Sequence, residues 1–132
     1  MKIGIYQSVR ADSNCPACNQ TAAKKAVTDA MACKEKAEEI FGDDCVFLNY
    51  IDRITMNADP ATSRRHFNRM LEHIRAGVIE AVVVTYMGVI STDIEVILDF
   101  YRFLKECGCK IITVRDGAKV MDMLEKAIAL DS

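Results

Sequence analysis

Apolar and polar positions alternate between two periods along this chain. Residues 2–9, "KIGIYQSV", read as a buried strand running into the polar loop Arg10–Asn14. Over 18–40 the spacing becomes helical, with Val27, Ala30, Met31, Ala37 and Ile40 on one stripe and Gly42 just beyond. "CVFLNYI", 45–51, predicts a second strand, and 52–63 is a polar loop. Asp59 before Pro60 signals the start of a second helix, which carries Phe67, Met70, Leu71 and Ile74 and stops at Gly77. "IEAVVVTY", 79–86, has an unbroken apolar run, as a central strand buried on both faces requires. Ser91 is the expected cap of a third helix, with Asp93 and Glu95 in its first turn and Ile94, Ile97, Leu98, Tyr101 and Leu104 as its stripe. A strand at 110–114 and a helix over 117–130, with Val120, Leu124 and Ile128 inward, complete the pattern.

Strand and helix thus alternate four times. That order predicts an α/β fold in three layers, with a mainly parallel sheet of four strands, or five, and right-handed crossovers. At 132 residues the chain is expected to be one domain, 1–132, long enough to bury a core. In such folds, functional groups gather where strands end and the next loops begin. Here those loops are Arg10–Asn14, Asp52–Ala58, Tyr86–Ile90 and Arg115–Gly117.

Composition narrows the function. There is no long apolar run and no apolar signal core, so no membrane span is expected and the cytoplasm is the expected location. The net charge of −2 argues against autonomous nucleic-acid binding, although Arg64, Arg65 and Arg69 form a local basic group. Six cysteines without a secretory signal predict reduced thiols.

Two groups of residues offer chemistry. Ser8 and Arg10 lie two apart at the end of the first strand, so they share a face. "CPAC", 15–18, places two thiols where a helix N-terminus would lower their pKa, as a redox pair needs. Zinc would need two more ligands. Cys107 and Cys109 precede a strand while Cys15 and Cys18 follow one, which separates the pairs by roughly 20 Å across a parallel sheet. His66 and His73 share a helix face without a third ligand. No metal and no cofactor is expected, and no glycine-rich nucleotide motif is present. The bland reading of Ser8 is a strand serine with a satisfied hydroxyl. That of Arg10 is a solvated strand end or a partner of Asp12 or Asp52. That of the arginine group is a solvated helix face.

Three stretches carry a resemblance: "IGIYQSVRAD", "YIDRITMNADPATSRRHFNRMLEHIRAG" and "IEAVVVTYMGVISTDIEVILDFYRFLKECGCKIITV". Over residues 2–114 the chain resembles the N-terminal catalytic domain of the serine recombinases, the resolvase/invertase family. The resemblance implies strand order 2-1-3-4 and a serine that attacks a DNA phosphodiester while arginines hold the phosphate. Guanidinium forks suit that task because negative charge grows on the phosphate oxygens.

The motifs themselves depart from the family. Tyr6 and Val9 match its Y-x-R-V-S motif, but the arginine falls on Ser8 and the nucleophilic serine on Arg10. Its D-R-L-G-R-S segment falls on Tyr86, Met87, Gly88, Val89, Ile90 and Ser91, so both arginines and the aspartate are replaced. The arginine entering the second helix is kept as Arg64, beside Arg65, and an early-helix glutamine falls near Gln20. A two-residue displacement along a strand is about 6.5 Å, more than in-line attack tolerates.

The expectation is therefore a degenerate recombinase domain acting as a scaffold or partner domain in DNA recombination, reaching DNA through a partner protein. Ser8, Arg10 and Arg64 are the candidate catalytic residues, and Arg10, Arg64 and Arg65 the anion contacts. The alternatives are an active site rearranged around Ser8 or Ser13, and a thiol-redox or small-molecule-binding protein using the Cys15/Cys18 loop. A homodimer is expected through Met121 and Met123 on the last helix. No C-terminal DNA-binding domain is expected.

Overall fold

The computed structural model of the chain describes residues 1–10, 16–54 and 64–131, with the backbone alone at Arg10, Ile54, Ala118 and Asp131. Among the described residues four strands and four helices alternate: β1 (Lys2–Arg10), α1 (Pro16–Phe41), β2 (Val46–Ile54), α2 (Arg65–Arg75), β3 (Ala81–Val84), α3 (Ile94–Cys107), β4 (Lys110–Thr113) and α4 (Ala118–Asp131). A short 3-10 turn, Met87–Val89, follows β3. The sheet is parallel throughout and ordered β2-β1-β3-β4, as expected. No helix among the described residues is long and apolar enough to cross a membrane.

The period-2 alternation of the strands builds two cores. Ile3, Ile5, Ala81 and Val83 point to one face and pack with Cys33 and Ala37 of α1. Tyr6, Tyr50, Val82 and Val84 point to the other and pack with Phe67, Met70 and Ile74 of α2, Leu98, Tyr101 and Leu104 of α3, and Leu124 of α4. All four residues of β3 are buried, which explains its unbroken apolar run.

The apolar stripe of α1 departs from expectation. Cys33 and Ala37 are its buried residues, while Val27, Met31 and Ile40 are 63%, 58% and 50% exposed. The helix lies over β1 and touches β3, so the part of its stripe that overhangs β2 has nothing above the outer strand to pack on. Ile94 and Val120 are likewise exposed, at 57% and 40%, although Ile97, Leu98, Tyr101, Leu104 and Leu124 lie inward.

Local signals explain the helix ends. Asp93, not Ser91, caps α3: its side chain accepts from Glu95 N at 3.0 Å, while Ser91 Oγ accepts from Asp93 N at 2.9 Å. Gly108 ends α3 in the left-handed region, with φ 69°, where a Cβ would be strained. The Asp59–Pro60 signal lies outside the described residues.

Candidate functional site at the carboxyl ends of the strands

The carboxyl ends of β1, β2 and β3 meet the start of α2 and the loop Tyr86–Ile90. Asp52 is the centre of this region and is 1% exposed. Its position in β2 pairs with Ser8 in β1, and alternation turns both towards the α2 side. Asp52 Oδ2 accepts from Tyr6 Oη at 2.9 Å and from Phe67 N at 3.0 Å, and Oδ1 accepts from His66 N at 2.8 Å. The carboxylate thus satisfies two free backbone donors in the first turn of α2 and stabilises the positive end of that helix. It fixes α2 to the sheet across 14 residues of sequence.

Arg64 precedes α2 and lies beside this carboxylate–phenol pair. Its Nη2 donates to the carbonyl oxygen of Ile90. The guanidinium lies 4.3 Å from the centroid of the Phe67 ring. Its Nε is buried without a hydrogen-bond partner. Burial pushes the Tyr6 phenol up to about 12; the Arg64 side chain hydrogen-bonded to it pulls the other way, and the Asp52 charge adds to the rise. Tyr6 therefore stays protonated and serves as a donor to Asp52.

The loop after β3 is held from two sides. Arg64 grips its end at Ile90, and Asp116 Oδ2 accepts from Met87 N at 2.7 Å. Met87 and Ile90 are 3% and 1% exposed and belong to the core. The loop presents an apolar plug where the resemblance places phosphate-holding arginines. Tyr86, 40% exposed, folds back over Gly88, where a Cβ would lie 2.6 Å from its ring.

The candidate residues are therefore distributed unevenly. Ser8 is half-buried on the Tyr6 face. Arg64 is engaged inward, and Arg65 is exposed in the first turn of α2. The side chain of Arg10, together with Ser13 and Cys15, lies outside the described residues. An ion pair of Arg10 with Asp52 has to compete with the three donors that Asp52 already accepts from. Gln20 is exposed on α1. Gln7, on the α1 face, donates to Ala26 O at 2.9 Å.

The cysteines differ from one another. Cys18, in the first turn of α1, is disulfide-bonded, against the expectation of reduced thiols. The lack of a secretory signal bears on compartment, not on whether two sulfurs come within bonding reach. Cys33, Cys45, Cys107 and Cys109 are free. Burial pushes the Cys33 and Cys109 thiols up to about 11, which makes them poor nucleophiles. His73 Nδ1 lies 2.6 Å from Tyr50 Oη, so this histidine closes a hydrogen bond within the fold. Among the described residues, no three His, Cys, Asp or Glu side chains are grouped to hold a metal ion.

Asp52 and Asp116 are the residues that sequence reasoning missed. A signal existed for Asp52: it continues the Leu48–Tyr50 alternation at the end of β2, which aims it at the core rather than at solvent. Nothing comparable marks Asp116.

Comparison with known proteins agrees with this geometry. No curated protein sequence matches the chain. Among solved structures, the N-terminal catalytic domain of TP901-1 integrase superposes with a TM-score of 0.66 at 15% identity, covering 99% of this chain and 94% of that one. A resolvase family site-specific recombinase from Streptococcus pneumoniae gives 0.65 at 16% identity, with 99% and 87% covered. The C-terminal catalytic domain of ISC1926 TnpA, an IS607-like serine recombinase, gives 0.62 at 14%, with 98% and 80% covered. At these identities the likeness shows the fold. The family model described as "Resolvase, N terminal domain" matches residues 19–129, most of the chain, and the chain belongs to that family.

Proposed function

We propose that this chain is a resolvase-type domain without strand-transfer activity, acting in the cytoplasm as a scaffold or partner domain of a DNA recombination complex. One observation carries the reading: the loop that should supply phosphate-holding arginines instead supplies Met87 and Ile90 to the core, and Arg64 turns inward to brace it. A phosphoryl-transfer site needs cations aimed at the growing charge, and each lost donor costs a few kcal/mol of barrier, about 3 in a typical case. Ser8 is half-buried, and the loop Tyr86–Ile90 offers it no cation.

Arg10, Arg64 and Arg65 are the anion contacts that this reading retains. Arg65 is the most available of those whose side chains are described, and Arg64 the least. They suit a weak backbone contact with DNA held by a partner protein. Self-association through α4, expected at Met121 and Met123, belongs to the same reading through Met123, which is 66% exposed, whereas Met121 is partly buried against the core.

The test is incubation with supercoiled plasmid followed by denaturing electrophoresis. The expected result is no covalent protein–DNA adduct and no nicking. An adduct that Ser8→Ala abolishes would overturn the proposal in favour of a rearranged active site.

A further inference from the structure

The overhang of α1 above β2 leaves a groove of about 500 Å³. Small-molecule sites usually measure about 300–1,000 Å³ and are mostly apolar, with a few polar groups that fix the ligand. Ala26, Val27, Ala30 and Met31 of α1 form one wall, and Val9 and Ile51 form the sheet side. Val27, Met31 and Ile51 are 63%, 58% and 41% exposed, so the fold gathers open apolar surface here rather than scattering it. Among the described residues that line the groove, the charged ones are Lys34 and Arg53, both cations. Neither forms an ion pair with a described residue. Lys34 Nζ lies 5.9 Å from the Phe47 ring, six positions before Arg53 in β2, which sets the two charges towards opposite ends of the groove. Alternation puts Val9, Ile51 and Arg53 on the face opposite Tyr6, Tyr50 and Asp52, so the sheet itself separates this groove from the α2 site.

We propose that the groove binds the carboxylate of one straight acyl chain, an anion of the fatty-acid type. Arg53 takes the head, because a planar guanidinium fork meets a carboxylate through two parallel N–H···O bonds. The chain lies along Ile51, Val27 and Met31, and its methylenes cover apolar surface otherwise open to solvent. Ala26 and Ala30 keep the helix wall low enough for an unbranched chain. Lys34, held over Phe47, closes the far end with its apolar stem. The match is one of charge and of shape: cations at the ends, an apolar strip between them, and no acid among the described lining residues. Nucleic acid fits this surface poorly, since a phosphate backbone brings dense charge and nothing apolar to set against the strip. The site does not depend on whether the α2 site is active.

Isothermal titration calorimetry of the purified chain with octanoate, decanoate and dodecanoate, each below its micelle-forming concentration, tests the proposal. One-to-one binding is expected, tightening by up to about fourfold for each added methylene. Decyltrimethylammonium, with the same chain length and the opposite charge, should bind at least about tenfold more weakly than decanoate. Arg53→Glu should weaken decanoate at least about tenfold, and Lys34→Ala by less. Val27→Glu and Ile51→Glu, at positions already exposed, should each abolish binding with unchanged circular dichroism, whereas Ile94→Lys on α3 should leave it as it is. No binding of dodecanoate at about 1 mM would overturn the proposal. So would decanoate binding that survives both Val27→Glu and Ile51→Glu, or decyltrimethylammonium binding as tightly as decanoate. Displacement of decanoate by a duplex oligonucleotide would also overturn it, and would assign the two cations to nucleic acid.

Discussion

Asp52 does at the residue scale what no local cap does for α2. The helix starts at Arg65 without a side-chain cap from the preceding Arg64, and a carboxylate from β2 takes its free N–H groups instead. Asp52→Asn keeps the shape but removes the charge and replaces one acceptor oxygen with a donor that faces donors. The expected loss is about 2–3 kcal/mol, read as a lower urea midpoint with unchanged slope. Tyr6→Phe removes a single donor from the same carboxylate and should cost less. Equal losses for the two variants would show that Asp52 acts mainly through Tyr6 rather than through the helix. Ser8 was legible from the sequence as a residue near the end of β1 on the Tyr6 face, and Arg64 as a candidate anion contact. The role of Asp52 was not, because it pairs with Ser8 from 44 positions further on.

Among the elements, α2 and α3 were the most legible. The stripes of α2 and α3, Ile94 apart, matched burial because those helices are covered on one side only. α1 was less legible, since a stripe says which residues share a face but not how wide the surface beneath is. α3 also illustrates how caps are chosen. Ser91 and Asp93 both suit the role, and the extended backbone of Asp93, with φ −89° and ψ 118°, decides between them. Asp93→Ala should therefore destabilise the protein by about 1 kcal/mol, and Ser91→Ala by less. Thermal melts of the two variants would check this, and a larger effect at Ser91 would reverse the assignment.

The pH response belongs to the whole molecule, because it sums over groups fixed in different layers. Burial raises the phenols of Tyr6, Tyr50 and Tyr101. For Tyr101 a hydrogen bond to Glu125, 2.6 Å away, adds to the rise and ties α3 to α4. The folded chain therefore holds protons that the unfolded chain releases above pH of about 10. Stability is fully present below that pH and falls as pH rises from about 10 towards 12, since the unfolded state then binds fewer protons. Denaturant midpoints measured across this window should decline steeply, and more shallowly for Tyr6→Phe. A flat profile in the wild type would contradict the burial of these phenols.

Strand and helix order, the parallel sheet and the double burial of β3 were set by sequence alone. Hydrophobic periodicity is a local property, and right-handed crossovers leave few ways to arrange four βα units. Tertiary structure alone decided that Asp52 is an anchor, that Arg64 turns inward to Ile90, and that Met87 and Ile90 are buried in the core. These depend on contacts between segments far apart in the chain, and a side chain's charge does not state which distant donor or carbonyl it will meet.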